Sequence, residues 1–148
     1  MTIDQLREYA LGKPDTEETL PFGPDVLVMK VLGKVFLLIS LDTVPVQFNA
    51  KCDPERAIEL REQYASILPG YHMNKQHWNT IILDGSVPMK LVRELIDHSY
   101  ELVAKKKATK KTIDILFVGR IEAQKNLVKF VKIIKNISIL FHGYSHFN

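Results

Sequence analysis

Two β-prone runs separated by Gly33-Lys34 constrain the fold of this chain more than any other feature. Residues 26 to 32 and 35 to 41 are rich in Val, Leu, Ile and Phe. A two-residue Gly-X loop suits a tight type II′ turn, because glycine tolerates a positive φ angle. The sequence therefore predicts a β-hairpin here, and with it an antiparallel sheet.

The segments around the hairpin add further strands and three helices. Residues 45 to 51 alternate, with Val46, Phe48 and Ala50 on one face and Gln47, Asn49 and Lys51 on the other, as in a strand with one buried face. A second such strand is predicted from Trp78 to Leu83. Helices are predicted after Thr2, after Asp53-Pro54 and from about Pro88, from capping residues followed by apolar stripes. The stripes comprise Leu6, Tyr9 and Ala10; Ala57, Ile58, Leu60, Arg61 and Tyr64; and Leu91, Val92, Leu95, Ile96, Leu102 and Val103. This order predicts an α+β fold, an antiparallel sheet with helices packed on one face.

The charge of the chain is divided unevenly along its length. Residues 1 to 104 contain 10 Lys/Arg and 15 Asp/Glu, a net charge of −5, whereas residues 105 to 148 contain 10 and 2, a net charge of +8. The lysine-rich run at 105 to 111 has no apolar periodicity and is typical of a solvated linker. We therefore predict one domain at 1–108 and a basic C-terminal appendage at 109–148.

Composition and segment lengths exclude several classes of protein. The single cysteine, Cys52, rules out an internal disulfide and a multi-cysteine zinc site. No apolar run approaches the roughly 20 residues that span a bilayer, and no basic leader precedes an apolar core. The sequence thus predicts a soluble cytoplasmic protein without a membrane role.

Five stretches resemble the MmcQ/YjbR family of small bacterial proteins. They are Leu-Pro-Phe-Gly-Pro-Asp-Val-Leu-Val at 20–28, Lys-Cys-Asp-Pro-Glu at 51–55, Pro-Gly-Tyr-His-Met-Asn-Lys-Gln-His-Trp-Asn-Thr at 69–80, Asp-Gly-Ser at 84–86 and Arg-Glu-Leu-Ile-Asp-His-Ser-Tyr at 93–100. The resemblance covers about residues 1 to 108. It implies a frataxin-like fold of the YjbR type and a DNA-binding role, and it assigns no catalytic residue.

The appendage resembles a different family. Residues 115 to 126, Ile-Leu-Phe-Val-Gly-Arg-Ile-Glu-Ala-Gln-Lys-Asn, are similar to the strand-loop-helix that opens the donor domain of GT-B glycosyltransferases. The resemblance implies diphosphate contacts for Arg120 and Lys125. One β-α-β fragment of this size cannot build a stable core alone, so we expect a fusion remnant or a chance match.

The candidate binding residues concentrate between Tyr71 and Asn79. Lysine and amide groups suit phosphate oxygens, and aromatic rings offer faces for base stacking. The alternative is that Tyr71 and Trp78 anchor the core while the polar residues satisfy local backbone groups. The predicted nucleic-acid-binding set is Lys51, His72, Asn74, Lys75, His77, Trp78, Asn79, Lys105, Lys106 and Lys107.

Neither a metal site nor catalysis is predicted. The spacing of His72 and His77 fits neither a helix face nor a strand face, and zinc requires three or four convergent ligands. Cys52 precedes a predicted helix, which can activate a thiol, but small buried cysteines are common, so a structural role is favoured. We expect no catalytic residue and no cofactor.

Two functions remain open at this stage. The first is a small non-enzymatic DNA-binding module of low sequence specificity, although the −5 charge of residues 1 to 104 opposes phosphate binding. The alternative is an adaptor that binds a protein or ligand through the open sheet face and has no DNA role. The sequence does not indicate an oligomeric state.

Overall fold

Six antiparallel strands form one sheet in the computed structural model, which describes residues 1–105. The strands follow the order β1-β2-β3-β4-β6-β5 across the sheet. Their bounds are Thr16–Thr19 (β1), Val26–Val31 (β2), Lys34–Ser40 (β3), Gln47–Lys51 (β4), Ile67–Pro69 (β5) and Trp78–Ile82 (β6). The helices are Ile3–Leu11 (α1), Pro54–Gln63 (α2) and residues 89–105 (α3). The predicted α+β class is confirmed, while the more specific frataxin-like likeness stays a prediction.

The three helices cover one face of the sheet. On β2 and β3, Met29, Leu37 and Ile39 belong to the same buried cluster as residues of all three helices. The intervening Val28 and Leu38 point to the opposite face and form a smaller cluster with Trp78. Because strand side chains alternate between faces, this division leaves the second face without a helix from residues 1–105, as predicted.

Both predicted N-terminal caps are present. The Thr2 side chain accepts a hydrogen bond from the Gln5 backbone N–H, and the Gln5 side chain accepts one from the Thr2 backbone. The Asp53 carboxylate accepts from the backbone N–H of Glu55 at 3.1 Å, with Pro54 as the first helical residue of α2. These local signals fix where α1 and α2 begin.

The β2–β3 hairpin exists, but its predicted loop is wrong by one residue. Val31 pairs with Lys34, so the loop is Leu32-Gly33 and not Gly33-Lys34. Both loop residues have positive φ angles, 51° and 75°, which is the pattern of a type I′ turn and not of type II′. Leu32 is held in this unusual conformation by its backbone N–H, which donates to the Asp15 carbonyl at 3.2 Å.

Two strands and one helix face differ from the prediction. β1 and β5 were not predicted, because each is only three or four residues long; each pairs with the next strand along the chain. On α2, Ala57 and Leu60 are buried as predicted, whereas Ile58, also predicted to face the core, is 55% exposed. The stripe on α3 is confirmed at Val92, Leu95, Ile96 and Val103, while Leu91 and Leu102 are half-buried.

Several predictions fall on residues beyond position 105. The domain boundary at 108, the resemblance of residues 115–126 to a glycosyltransferase, and Lys106 and Lys107 lie outside the described residues and stay predictions. Within residues 1–105, no helix combines the length and apolarity needed to cross a bilayer.

Candidate functional site

A groove of about 500 Å³ lies on the face of the sheet opposite α1, α2 and α3. Its floor comes from the three central strands: Val26 on β2, Leu38 and Ser40 on β3, and Gln47 and Asn49 on β4. The volume is within the ordinary range of small-molecule sites. The floor combines apolar side chains with two amides and a hydroxyl, so it can bind an apolar body and orient it by hydrogen bonds.

Loops at both ends of the sheet supply the walls of the groove. The β1–β2 loop contributes Phe22 and Asp25, the β3–β4 loop contributes Asp42 and Thr43, and the β5–β6 loop contributes Tyr71–Met73. The Thr43 Oγ1 atom is buried and has no hydrogen-bond partner among the described residues. A buried hydroxyl without a partner costs free energy, and this one belongs to a residue that lines the groove.

Two exposed aromatic rings border the groove. Phe22 is 69% and Tyr71 70% exposed, whereas large aromatic side chains are usually well buried. The Tyr71 ring lies against the His72 imidazole, with 4.0 Å between the ring centroids. His72 has a φ angle of 53°, a left-handed conformation that is costly for a non-glycine residue and that concentrates at functional sites. The wall is therefore both exposed and conformationally strained.

Close backbone packing fixes the β5–β6 loop that carries this wall. A Cβ atom added at Gly70 would lie 2.7 Å from the Trp78 Cβ, so only glycine fits there. The Gly70 backbone N–H donates to the Trp78 carbonyl at 2.8 Å. Next along the chain, the Tyr71 N–H donates to Thr80 Oγ1 at 3.1 Å, and that hydroxyl donates to the Asn49 side chain at 2.6 Å. The loop is thus connected directly to the groove floor.

Of the predicted binding residues, His72, Asn74 and Lys75 are exposed on this loop. The Asn74 side chain accepts from the Gln76 backbone N–H at 2.9 Å and so shapes the turn. His77 is half-buried, and its carbonyl accepts from the Cys52 N–H at 2.8 Å. The structure brings these residues together, but only His72 lines the groove.

Trp78 and Asn79 are interior residues, which contradicts their prediction as nucleic-acid contacts. Asn79 is 1% exposed, and its side-chain oxygen accepts from Arg61 Nε at 2.7 Å. Trp78 is 8% exposed and packs with Val28 and Leu38. Their polar and aromatic groups are engaged within the protein, which agrees with the alternative reading of Trp78 as a core anchor.

The predicted lysines in the described part of the chain lie on three different elements. Lys51 Nζ lies 5.8 Å from the centroid of the Trp78 ring. Lys105 Nζ forms an ion pair with Glu101 at 3.1 Å on the exposed side of α3. Lys75 is exposed on the β5–β6 loop. These three cations lie on β4, on α3 and on a loop, and their role in phosphate binding stays a prediction.

The remaining titratable candidates have structural surroundings. Burial raises the pKa of the Cys52 thiol to about 11, so the thiolate is scarce near neutrality. His98 Nε2 accepts from the Asp53 backbone N–H at 3.1 Å, and burial, followed by the positive charge of Arg56, lowers the pKa of this imidazole. Within residues 1–105, no group of three or more His, Cys, Asp or Glu residues is placed to hold a metal ion.

Most groove residues were not identified from the sequence. Phe22 and Asp25 occur in the stretch at 20–28 that resembles the MmcQ/YjbR family, but they were not predicted as site residues. A Phe among turn-forming residues is the sequence feature that could have indicated them. Asp42 and Thr43 lie in an irregular loop and carry no motif. Only the three-dimensional meeting of three strands and three loops makes them one site.

The geometry defines a class of protein: an α+β domain with an antiparallel sheet, helices on one face and a groove on the other. The family model described as YjbR matches residues 11–102, and the chain belongs to this family.

Relatives in several bacteria share the domain. The chain is 42% identical over 98 residues to the uncharacterized protein YbdF of Escherichia coli O157:H7, covering 66% of this chain and 80% of YbdF. It is 34% identical over 101 residues to the uncharacterized protein YjbR of Escherichia coli K12, covering 68% of this chain and 86% of YjbR. The crystal structure of Deinococcus radiodurans protein DR2400, with the family-model domain DUF419, superposes with a TM-score of 0.68 at 45% identity, covering 72% of this chain and 80% of DR2400.

Proposed function

We propose that this YjbR-family domain is a binding module that holds a small ligand in the groove on its open sheet face. The observation that carries the proposal is the groove itself, about 500 Å³ in volume and lined by both apolar and hydrogen-bonding side chains. Binding sites commonly combine an apolar lining with a few polar groups that set orientation. This is the ligand-binding form of the adaptor alternative left open by the sequence.

The wall residues add support. A bound ligand would cover the exposed apolar surface of Phe22 and Tyr71 and so remove it from water, which favours binding. His72 in its left-handed conformation is a feature that proteins retain mainly where function requires it. Both features concern the groove and neither is needed to stabilise the helix-covered core.

The proposal concerns binding and not catalysis. The Cys52 thiol is buried with a raised pKa, which opposes a nucleophilic role. The His98 imidazole accepts a hydrogen bond at the start of α2 and is absent from the groove lining. The groove residues described above can contact and orient a ligand without any proton transfer.

A fragment screen on the full chain tests the proposal. Backbone amide NMR spectra should shift at Ser40, Gln47, Asn49 and Met73 when small aromatic amides or alcohols bind. Gln47→Trp should fill the groove and abolish these shifts. Gln63→Trp, which places the same ring on the exposed end of α2, should leave them intact. The proposal fails if no fragment shifts these amides, or if the shifts survive Gln47→Trp.

Nucleic-acid binding is a second candidate, favoured by one specific observation. His72, Asn74 and Lys75 are exposed together on the loop that also presents Tyr71, and an aromatic ring beside a cation suits single-stranded nucleic acid. The acidic groove residues Asp25 and Asp42 weigh against it, since affinity for nucleic acid depends largely on neutralising phosphates.

Salt dependence separates this candidate from the first. Lys75→Gln should reduce the slope of log K against log salt concentration by about 0.7 for single-stranded DNA. Lys90→Gln, an exposed lysine at the start of α3, should leave the slope unchanged. The basic residues beyond 105 are the same in both variants. Equal slopes in the two variants would exclude the loop as a nucleic-acid contact.

A further inference from the structure

The charges around the groove indicate which ligands it prefers. Among the residues that line it, Asp25 and Asp42 are acidic and none is lysine or arginine. We propose that the groove binds a small organic cation, in which an ammonium or guanidinium group is joined to an apolar body. This inference rests on the proposed function and specifies its ligand class.

The backbone holds the two carboxylates at the same end of the groove. Val26 pairs with Ser40 at the start of β2 and the end of β3. The Asp25 carbonyl accepts from the Leu41 N–H at 2.8 Å, which extends that pairing by one residue. Asp25 and Asp42 therefore flank the same end of the β2–β3 pair, where a cation can interact with both.

The aromatic walls suit the same ligand. The face of a phenyl or phenol ring carries a negative quadrupole that attracts an ammonium or guanidinium group. Phe22 and Tyr71 are exposed on opposite loops that border the groove. They can contact either the charged head or the apolar body of the ligand, whereas an anion would be repelled by the ring faces and by both carboxylates.

Hydrogen-bond acceptors complete the site. Ammonium and guanidinium groups only donate hydrogen bonds, so they need oxygen acceptors. Ser40 lines the groove, and its hydroxyl oxygen can accept one. The Gln47 side-chain oxygen lies at the groove floor as a further acceptor.

Three probes of similar shape test the charge preference on the full chain. Phenethylamine, phenethyl alcohol and phenylacetate are a cation, a neutral molecule and an anion at neutral pH. We expect phenethylamine to bind about tenfold more tightly than the alcohol, measured from amide shifts of Ser40, Gln47 and Met73, and phenylacetate to bind least. The double variant Asp25→Asn/Asp42→Asn should remove the advantage of the amine while still binding the alcohol.

A charge-matched control separates local from overall electrostatics. Glu59→Gln/Glu62→Gln also removes two negative charges, but on the exposed side of α2, on the helix-covered face. It should keep the preference for phenethylamine. If the alcohol binds as tightly as the amine, the cation inference is overturned while the ligand-binding function stands. If no probe shifts the groove amides, both are overturned.

Discussion

Arg61 on α2 donates a hydrogen bond from Nε to the side-chain oxygen of Asn79 on β6, at 2.7 Å. Asn79 is 1% exposed, so a charged group satisfies a buried amide across the helix–sheet boundary. The Arg61 guanidinium also donates to the backbone carbonyls of Trp78, at 3.2 Å, and Lys75. One side chain thus connects α2, β6 and the loop that forms a groove wall.

Loss of Arg61 should destabilise the domain. Arg61→Ala leaves the Asn79 amide oxygen and two backbone carbonyls without this donor. A hydrogen bond to a charged group contributes about 1.5–3 kcal/mol to stability. We expect the free energy of unfolding in urea to fall by about 2–3 kcal/mol. Arg61→Lys should recover only part of this loss, because lysine lacks the planar fork. Lys90→Ala, at an exposed site, should stay within about 0.5 kcal/mol of the parent.

Gly70→Ala should be unfavourable for a steric reason. The new Cβ would lie 2.7 Å from the Trp78 Cβ and 3.0 Å from the Trp78 carbonyl oxygen. Forcing β5 and β6 apart should cost about 1–3 kcal/mol in the free energy of unfolding. Gly12→Ala is the matched control, since its φ angle of −66° and nearest contact of 3.4 Å accommodate a methyl group. Equal stability of the two variants would contradict this packing.

Cys52 should react slowly with thiol reagents in the folded protein. Its pKa is raised to about 11, against about 8.5 for a free thiol, so its thiolate fraction near pH 7 is lower by a factor of roughly 100 or more. An aromatic disulfide reagent should modify the native chain at least that much more slowly than the chain unfolded in urea. Similar rates in both states would show that the thiol is accessible.

The His98 imidazole should make stability depend on pH. Burial lowers its pKa in the folded state below the ordinary value of 6.5, so the unfolded chain binds this proton first as pH falls. The contribution of His98 to stability is therefore complete above pH 6.5 and is lost as pH falls through the lower, folded pKa. His98→Gln keeps an acceptor for the Asp53 N–H and removes the titration. Urea unfolding between pH 7.5 and pH 5 should show a smaller loss for this variant, whereas parallel curves would refute the assignment.

Local signals in the sequence were sufficient for most of the fold. The Thr2–Gln5 and Asp53–Pro54 caps are short-range, so residue identity alone predicts them. The predicted position of the hairpin loop is wrong by one residue because Leu32, and not only Gly33, has a positive φ angle. This conformation is unfavourable for leucine, so the sequence does not indicate it. β1, with the polar sequence TEET, is a strand only because β2 pairs with it.

The site was less predictable than the fold, because its residues are brought together by tertiary structure. Within the block from Tyr71 to Asn79, which the sequence singles out, Asn79 is buried and His72 lines the groove. The alternation of apolar and polar residues along β4 predicts that Gln47 and Asn49 lie on the same face of the sheet. Nothing in the sequence shows that the loops at Asp25 and Asp42 close over that face.

Relieving strain at two left-handed positions should separate stability from ligand binding. Leu32 and His72 have φ angles of 51° and 53°, and asparagine adopts this conformation at lower cost than either. Leu32→Asn creates an Asn-Gly type I′ loop, far from the groove lining, and should raise the free energy of unfolding by about 1 kcal/mol without changing fragment affinity. His72→Asn should raise stability by a similar amount but weaken fragment binding, because it removes the ring that lies against Tyr71 in the groove wall. Urea unfolding and amide shift titrations on both variants check the two effects. If His72→Asn gains stability and binds fragments as tightly as Leu32→Asn, the strain at His72 is unrelated to the groove.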